Sequence, residues 1–117
     1  MKKSYHLISM PSAQCHVVFA TTDSGAPDSI YLFSYTTPIL RVARMGDDAW
    51  ELSVLYPVNC SKTTARHVNR FTSELFGRSL YHELKSYPHF EPFSELLSDS
   101  DVNRFWNRYE AVGRRIY

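Results

Sequence analysis

The chain has 117 residues, of which 44% are hydrophobic and 15% aromatic, and its formal net charge is +1. This length and composition support a hydrophobic core without disulfide or metal staples, so we expect a single domain over residues 1–117 rather than a disordered chain. The small net charge excludes a global field that would draw the protein onto nucleic acid or an anionic membrane, so any such binding must be local.

Cysteine usage and hydropathy indicate in which cellular compartment the protein is located. Cys15 and Cys60 lie far apart without CxxC spacing, and we expect both to be reduced thiols. Polar residues and Pro11 interrupt the apolar run that a signal peptide needs after the first lysines, and no stretch approaches the ~20 apolar residues of a membrane span. We therefore expect a cytoplasmic protein without a membrane partner.

The first half of the chain predicts strands, because β-branched and aromatic residues cluster there between turn residues. Pro38 lacks a backbone N–H and indicates a bulge, a sheet edge or a break, whereas positions 46–48 are typical of a hairpin turn. Residues 50–56 alternate apolar and polar side chains, as a half-buried strand does. The predicted strands are residues 16–20, 29–35, 39–44 and 50–56.

From Ser61 onward the apolar spacing is that of helices. Ser61 or Thr63 is suited to cap a helix that runs to about Phe76, and Gly77 follows at the position that favours the left-handed conformation. We expect three more helices: a short one from residue 79 to before Pro88, one from Pro92 to about residue 98, and one over about residues 101–115. The last should bury Val102, Phe105, Trp106, Tyr109, Val112 and Ile116.

Strands followed by helices predict an α+β fold. Specifically, we expect an antiparallel β-sheet of about four to five strands from the N-terminal half, packed against three to four C-terminal helices.

The start of the helix at Ser61 is the strongest candidate for a binding site. Helix N-termini offer unpaired amides, and Lys62, Thr63, Arg66 and Arg70 add hydroxyl and basic groups on one side of this helix. Cations four residues apart are suited to follow a nucleic-acid backbone or to hold another anion. The alternative interpretation is a helix cap followed by an ordinary solvated face.

The sequence predicts no metal site, no cofactor and no catalytic residues. Cys60 and His67, like His82 and His89, are seven residues apart, which matches neither a zinc finger nor the HExxH motif. Cys60 and His67 would serve as a nucleophile and base only if the helix turned the imidazole over the thiol. We therefore expect a binding protein rather than an enzyme.

A second candidate surface comes from the aromatic excess of the C-terminal half. Tyr81, Tyr87 and Phe90 crowd a segment that prolines interrupt, where a compact core cannot easily accept every ring. Arg104 and Arg108 face away from the apolar stripe of the last helix. These five residues are candidates for a protein interface, although core packing is the ordinary role of such rings.

Two segments resemble a pattern of small uncharacterised proteins of bacteriophages and mobile elements. In that family a strand motif S-Y-x-T-P is followed by a second strand and then by a helix start S-K-T-T-x-x-H-I-x-x-F. The similarity covers roughly residues 30–76. The matching segments are Ser34-Tyr35-Thr36-Thr37-Pro38 and Ser61-Lys62-Thr63-Thr64-Ala65-Arg66-His67-Val68-Asn69-Arg70-Phe71.

The resemblance implies an origin more than an activity, because the family has no established catalytic residues. It implies architectural roles for Ser61 or Thr63 as the cap, for Thr64 and His67 at the helix start, and for Phe71 in the core. By analogy, the expected function is that of a small phage-type protein that binds and inhibits or modulates a host protein, as anti-CRISPR and other counter-defence proteins do.

The alternative function is nucleic-acid binding through the basic face of the helix that begins at Ser61. A homodimer through an unpaired strand edge near Pro38 or through the last helix also remains open.

Overall fold

The main element of the structure is an antiparallel sheet. The computed structural model describes residues 2–6, 14–58, 61–86 and 92–112, and within those ranges six strands pair in the order β1-β2-β3-β4-β5-β6. Side chains are described for residues 14–58, 61–86 and 96–111. The strands are β1 (Lys2–His6), β2 (Cys15–Thr21), β3 (Pro27–Ser34), β4 (Thr37–Gly46), β5 (Ala49–Val54) and β6 (Pro92–Leu97).

Helices from the C-terminal half pack on this sheet. They are α1 (Lys62–Phe76), the single turn α2 (Tyr81–Leu84) and α3 (Asp99–Val112). The N-terminal half supplies five strands and the described C-terminal half supplies three helices, so the predicted α+β fold is confirmed.

Alternation along the strands decides which sheet face the helices cover. Trp50, Leu52 and Val54 of β5 are fully buried and belong to the same core cluster as residues of α1 and α3, whereas Glu51 and Ser53 point to the other face and are half-buried. This is the predicted period of two. Residues of β2, β3 and β4 extend the buried side with Val17, Phe19, Ile30, Leu32, Leu40 and Val42.

Pro38 lies next to a β-bulge. Leu32 pairs with Leu40, but Phe33 pairs with Pro38, so Ile39 is the extra residue of β4. The bulge interpretation is therefore confirmed. The edge interpretation is wrong, because β4 lies between β3 and β5 and the outer strands are β1 and β6.

The start and end of α1 follow its capping residues. Ser61 has an extended backbone, and its side chain accepts a hydrogen bond from the Thr64 amide at 3.0 Å. Gly77 adopts the left-handed conformation with φ 82°, where a side chain would be strained, and its amide bonds the Ser73 carbonyl. Ser61 rather than Thr63 is thus the cap, and both predicted ends of the helix are confirmed.

Helix α3 buries the predicted stripe and begins with a capping box. The Asp101 amide donates to Ser98 Oγ at 3.3 Å, while Asp101 Oδ2 accepts from the Ser98 amide at 3.3 Å. Val102, Phe105, Trp106 and Tyr109 are buried, whereas Val112 and Ile116 lie outside the described side chains.

A polar cluster joins the β4–β5 turn to the start of α3. Trp50 is fully buried, and its Nε1 donates to Asp99 Oδ1 at 2.7 Å. Arg44 contacts the same carboxylate at 3.0 Å, with its guanidinium 4.6 Å from the Trp50 ring centroid. The Asp99 amide donates to Asp48 Oδ1 at 2.8 Å. These acidic residues therefore fix a turn and a helix start.

The helix predicted from Pro92 to about residue 98 is wrong, because residues 92–97 form β6. Leu97 pairs with Trp50 and Leu96 pairs with Glu51, so this segment supplies the partner of the open edge of β5. Leu97 is buried and its neighbour Leu96 is exposed, as alternation in a strand requires. Pro92 is tolerated because it is the first residue of the strand.

Candidate functional site

The candidate site begins at the connection between β3 and β4. Tyr35 and Thr36 form this two-residue turn, and Tyr35 adopts φ 59°. The Tyr35 amide donates to the Gln14 carbonyl at 2.6 Å, which holds the turn against the residue before β2. The Tyr35 side chain is 48% exposed. A large residue is thus held in a conformation that glycine or asparagine adopts more easily.

A buried polar network joins this turn to the first two turns of α1. Ser34 Oγ lies 2.9 Å from His67 Nδ1 and 3.3 Å from Thr64 Oγ1. Ser61 Oγ donates in turn to Thr64 Oγ1 at 3.0 Å. Ser34 is 4% exposed and His67 1% exposed, so water has little access to these bonds. The network connects the two segments that carry the family resemblance.

The environment of His67 favours the neutral form of its ring. Burial, and to a smaller extent the positive charge of Arg66, lower the pKa of His67 below its ordinary value. A neutral imidazole has one acceptor nitrogen and one N–H, which suits a hydrogen bond with a hydroxyl. Thr64 and His67 therefore pack at the helix start, in the architectural roles that the resemblance implies.

The same geometry bears on catalysis. A serine beside a neutral imidazole is the arrangement of an activated nucleophile, but such a nucleophile has to reach its substrate, and Ser34 is buried. Ser61 and Thr64 add hydroxyls rather than a carboxylate to the network. The arrangement is better suited to fixing the β3–β4 turn on α1. Cys60, the other candidate nucleophile, lies outside the described residues.

The predicted binding residues occupy the exposed side of α1. Lys62, Arg66 and Arg70 are all exposed, and Thr63 beside them is half-buried. Positions four apart recur on one side of a helix, so the three cations form one row. We call this row the basic face. Within the described part of the chain, no carboxylate forms an ion pair with any of the three.

Four of the five other described arginines differ from those of the basic face, and the fifth, Arg41, lies over the Tyr31 ring at 6.0 Å from its centroid. Arg44 and Arg78 lie 3.0 Å and 3.5 Å from carboxylate oxygens of Asp99 and Glu83. The same is true of the arginines predicted for the second surface: Arg104 lies 3.3 Å from Asp101, and Arg108 lies 3.9 Å from Glu74. Their charges are thus partly neutralised within the chain.

Of the aromatic residues predicted for the second surface, the structure describes Tyr81. Tyr81 is half-buried and packs against the core cluster. Tyr87 and Phe90 lie outside the described residues. Arg104 and Arg108 are exposed on α3, as predicted.

A buried carboxylate that was not predicted lies at the interface of α1 and α3. The Glu74 side chain is 7% exposed and accepts a hydrogen bond from Tyr109 Oη at 2.6 Å. The available signal in the sequence for the burial of Glu74 was its position directly before Leu75.

Burial, with a smaller contribution from the charge of Glu74, raises the pKa of the reduced Cys15 thiol to about 12. That thiol is therefore protonated and unreactive.

Within the described ranges, no three His, Cys, Asp or Glu side chains converge on one point. No helix in the same ranges has the length and apolar character needed to cross a bilayer.

Fold and site together define an α+β protein whose β3–β4 turn is joined to the start of a basic helix by buried hydroxyls and an imidazole. The chain belongs to a family of unknown function (DUF8033), which it matches over residues 10–83. The match includes both resembling segments and confirms an uncharacterised family. No curated protein and no solved structure matches the chain.

Proposed function

We propose that this protein binds nucleic acid through the basic face of α1 and that it performs no catalysis. The observation that carries the proposal is that three exposed cations without a carboxylate partner among the described residues share one helix face. Four arginines elsewhere in the described chain lie within 4 Å of a carboxylate, whereas Lys62, Arg66 and Arg70 share an exposed face without one. An uncompensated row of positive charge attracts an anionic partner.

The spacing of the row suits a phosphate backbone. Eight residues separate Lys62 from Arg70, which is about 12 Å along a helix axis at 1.5 Å per residue. Phosphates of one strand of a duplex are spaced about 3.4 Å along its axis, so the basic face reaches about three to four of them. Thr63 provides a hydroxyl at the N-terminal end of the row, where the helix dipole also favours an anion.

The number of cations in the basic face sets the expected strength and salt dependence of nucleic-acid binding. Three phosphate contacts correspond to a slope of log affinity against log salt of about −2.7 on duplex DNA and about −2.1 on a single strand. Binding is therefore modest at physiological salt and strengthens steeply at low salt.

The test compares two matched pairs of substitutions. Arg66→Gln/Arg70→Gln and Arg104→Gln/Arg108→Gln remove the same charge, and each pair is four residues apart on an exposed helix face. Titration of a labelled oligonucleotide between 50 and 200 mM salt should show weaker binding and a slope reduced by about two units for the α1 pair alone. An equal loss in both pairs, or no binding by the wild type, contradicts the proposal.

A second candidate function is the inhibition or modulation of a host protein by a phage- or mobile-element-encoded binder that acts in the cytoplasm. The observation that favours it is a pair of exposed apolar side chains, Met45 and Leu96, at one end of the sheet. Met45 adjoins Arg44, which pairs with Trp50, and Leu96 pairs with Glu51. Large exposed apolar residues on one sheet are typical of protein contacts.

This candidate makes a different prediction from the first. The protein should co-purify with a host protein after nuclease treatment, and Met45→Ser/Leu96→Ser should abolish that complex while Arg66→Gln/Arg70→Gln leaves it intact. A complex that nuclease removes, or that depends on the arginine pair alone, contradicts it.

A further inference from the structure

The backbone of Tyr35 is strained although its ring lies outside the core cluster. In the described chain, Tyr35 and Asp48 are the non-glycine residues with positive φ, at 59° and 54°. Aspartate tolerates this conformation, and the Asp48 carboxylate accepts a hydrogen bond from the Asp99 amide at the start of α3. The Tyr35 ring, in contrast, is 48% exposed and does not belong to the core cluster. Strain of this kind is concentrated at functional sites.

The Tyr35 ring lies near His67, a residue next to the basic face in the helix. Its centroid lies 6.5 Å from that of His67, the residue that follows Arg66 on α1. The bonds from Ser34 to Thr64 and His67 fix the turn at this place on the helix. Thr63 lies one turn before His67 on the same side of α1. The exposed ring is thus held near His67, which lies between the buried side of α1 and its row of cations by helical spacing.

We propose that Tyr35 is a base-stacking residue and that the ligand is a single-stranded nucleic acid whose backbone lies along the basic face. This rests on the proposed nucleic-acid function and deepens it. Basic grooves flanked by aromatic rings are the recurring design for single strands, because every unpaired base offers a face to stack on. A duplex engages its bases in its own stack, so only a single strand supplies a free base to a ring on a turn.

The substitution Tyr35→Gly tests the role of the ring with little risk to the fold. Glycine adopts the left-handed conformation readily, so this variant removes the ring and relieves the strain together. We expect its melting temperature to equal or exceed that of the wild type. Tyr35→Phe retains the ring and serves as the conservative control.

The binding experiment uses fluorescence anisotropy with a labelled deoxythymidine decamer, an abasic decamer of the same length and a duplex decamer. Tyr35→Gly should weaken binding to the deoxythymidine decamer by about five- to a hundredfold, the loss expected for one stacked base. It should leave binding to the abasic decamer and the duplex unchanged. Tyr35→Phe should bind all three as the wild type does.

The outcomes separate this inference from the proposed function. Unchanged affinity of Tyr35→Gly for the deoxythymidine decamer, or an equal loss on the abasic decamer, overturns the role of Tyr35 even where the arginine pair still weakens binding. Failure of the wild type to bind any of the three ligands overturns both proposals. A Tyr35→Gly variant that keeps its decamer affinity but loses a nuclease-resistant protein complex assigns the ring to a protein partner instead.

Discussion

Replacing Ser34 with alanine should lower the free energy of unfolding by about 2 kcal/mol, because it leaves a buried imidazole nitrogen without its partner. The lost hydroxyl lies 2.9 Å from His67 Nδ1 and 3.3 Å from Thr64 Oγ1. Thr64 keeps the hydrogen bond that Ser61 donates, so the penalty falls on His67. A buried, unsatisfied polar group costs about 1–3 kcal/mol, and roughly 4 °C per kcal/mol gives a melting temperature about 8 °C lower.

Thermal and urea unfolding followed by circular dichroism measure this loss, with Ser29→Ala as the matched control. Ser29 is equally buried on β3, but its hydroxyl donates only a long 3.5 Å bond to Asp28, so we expect a change within about 0.5 kcal/mol. Adding His67→Leu to Ser34→Ala removes the orphaned nitrogen, so the double variant should be about 1 kcal/mol more stable than additivity predicts. Additive effects, or equal losses at Ser34 and Ser29, would refute the reasoning.

Three further predictions concern other parts of the chain. Because the pKa of His67 is lowered in the folded chain, a proton binds this histidine more tightly in the unfolded chain than in the folded one. Between pH 7.5 and 5.5 the wild type should therefore lose up to about 1 kcal/mol more stability than His67→Gln, as urea unfolding at both pH values would show. Leu97→Ala should destabilise by about 2–3 kcal/mol and Leu96→Ala by less than about 0.5 kcal/mol, whereas equal losses would argue against β6 as a strand. Asp99→Ala should cost about 1–2 kcal/mol more than Asp99→Asn, because only asparagine keeps an acceptor for Trp50 Nε1, and equal melting temperatures would contradict this.

Local sequence patterns were sufficient to predict those helices and strands whose structure depends on their own residues. Ser61 and Gly77 mark the ends of α1 because their capping roles depend on the few residues beside them. The alternation of Trp50, Leu52 and Val54 predicts a half-buried strand for the same reason.

Residues 92–97 show where such local reasoning ends. Adjacent Leu96 and Leu97 after a proline suit a short helix as well as a strand, because so short an apolar run has no readable period. The strand forms because β5 has an edge whose backbone groups need partners and because Leu97 is buried opposite Trp50. That requirement is a property of the sheet and is absent from the segment itself.

The candidate site was predicted in part for a similar reason. The exposed row of Lys62, Arg66 and Arg70 follows from helical spacing alone, and its exposure is confirmed. The contact between Ser34 and His67 joins residues 33 positions apart, and it depends on how the β3–β4 turn meets α1. Only the resemblance placed both segments in one pattern, and only the structure shows the hydrogen bonds that connect them.

The pairing of β5 with β6 has a consequence for synthesis of the chain. Strands β1 to β5 follow one another directly, but the segment that covers the outer edge of β5 begins only at Pro92, after α1 and α2. A nascent chain therefore presents Ala49–Val54 as an uncovered strand while the intervening residues are translated. An uncovered strand is a template for intermolecular pairing. Ribosome stalling or truncation before residue 97 should consequently yield aggregated products, whereas a chain that includes β6 closes that edge with its own backbone.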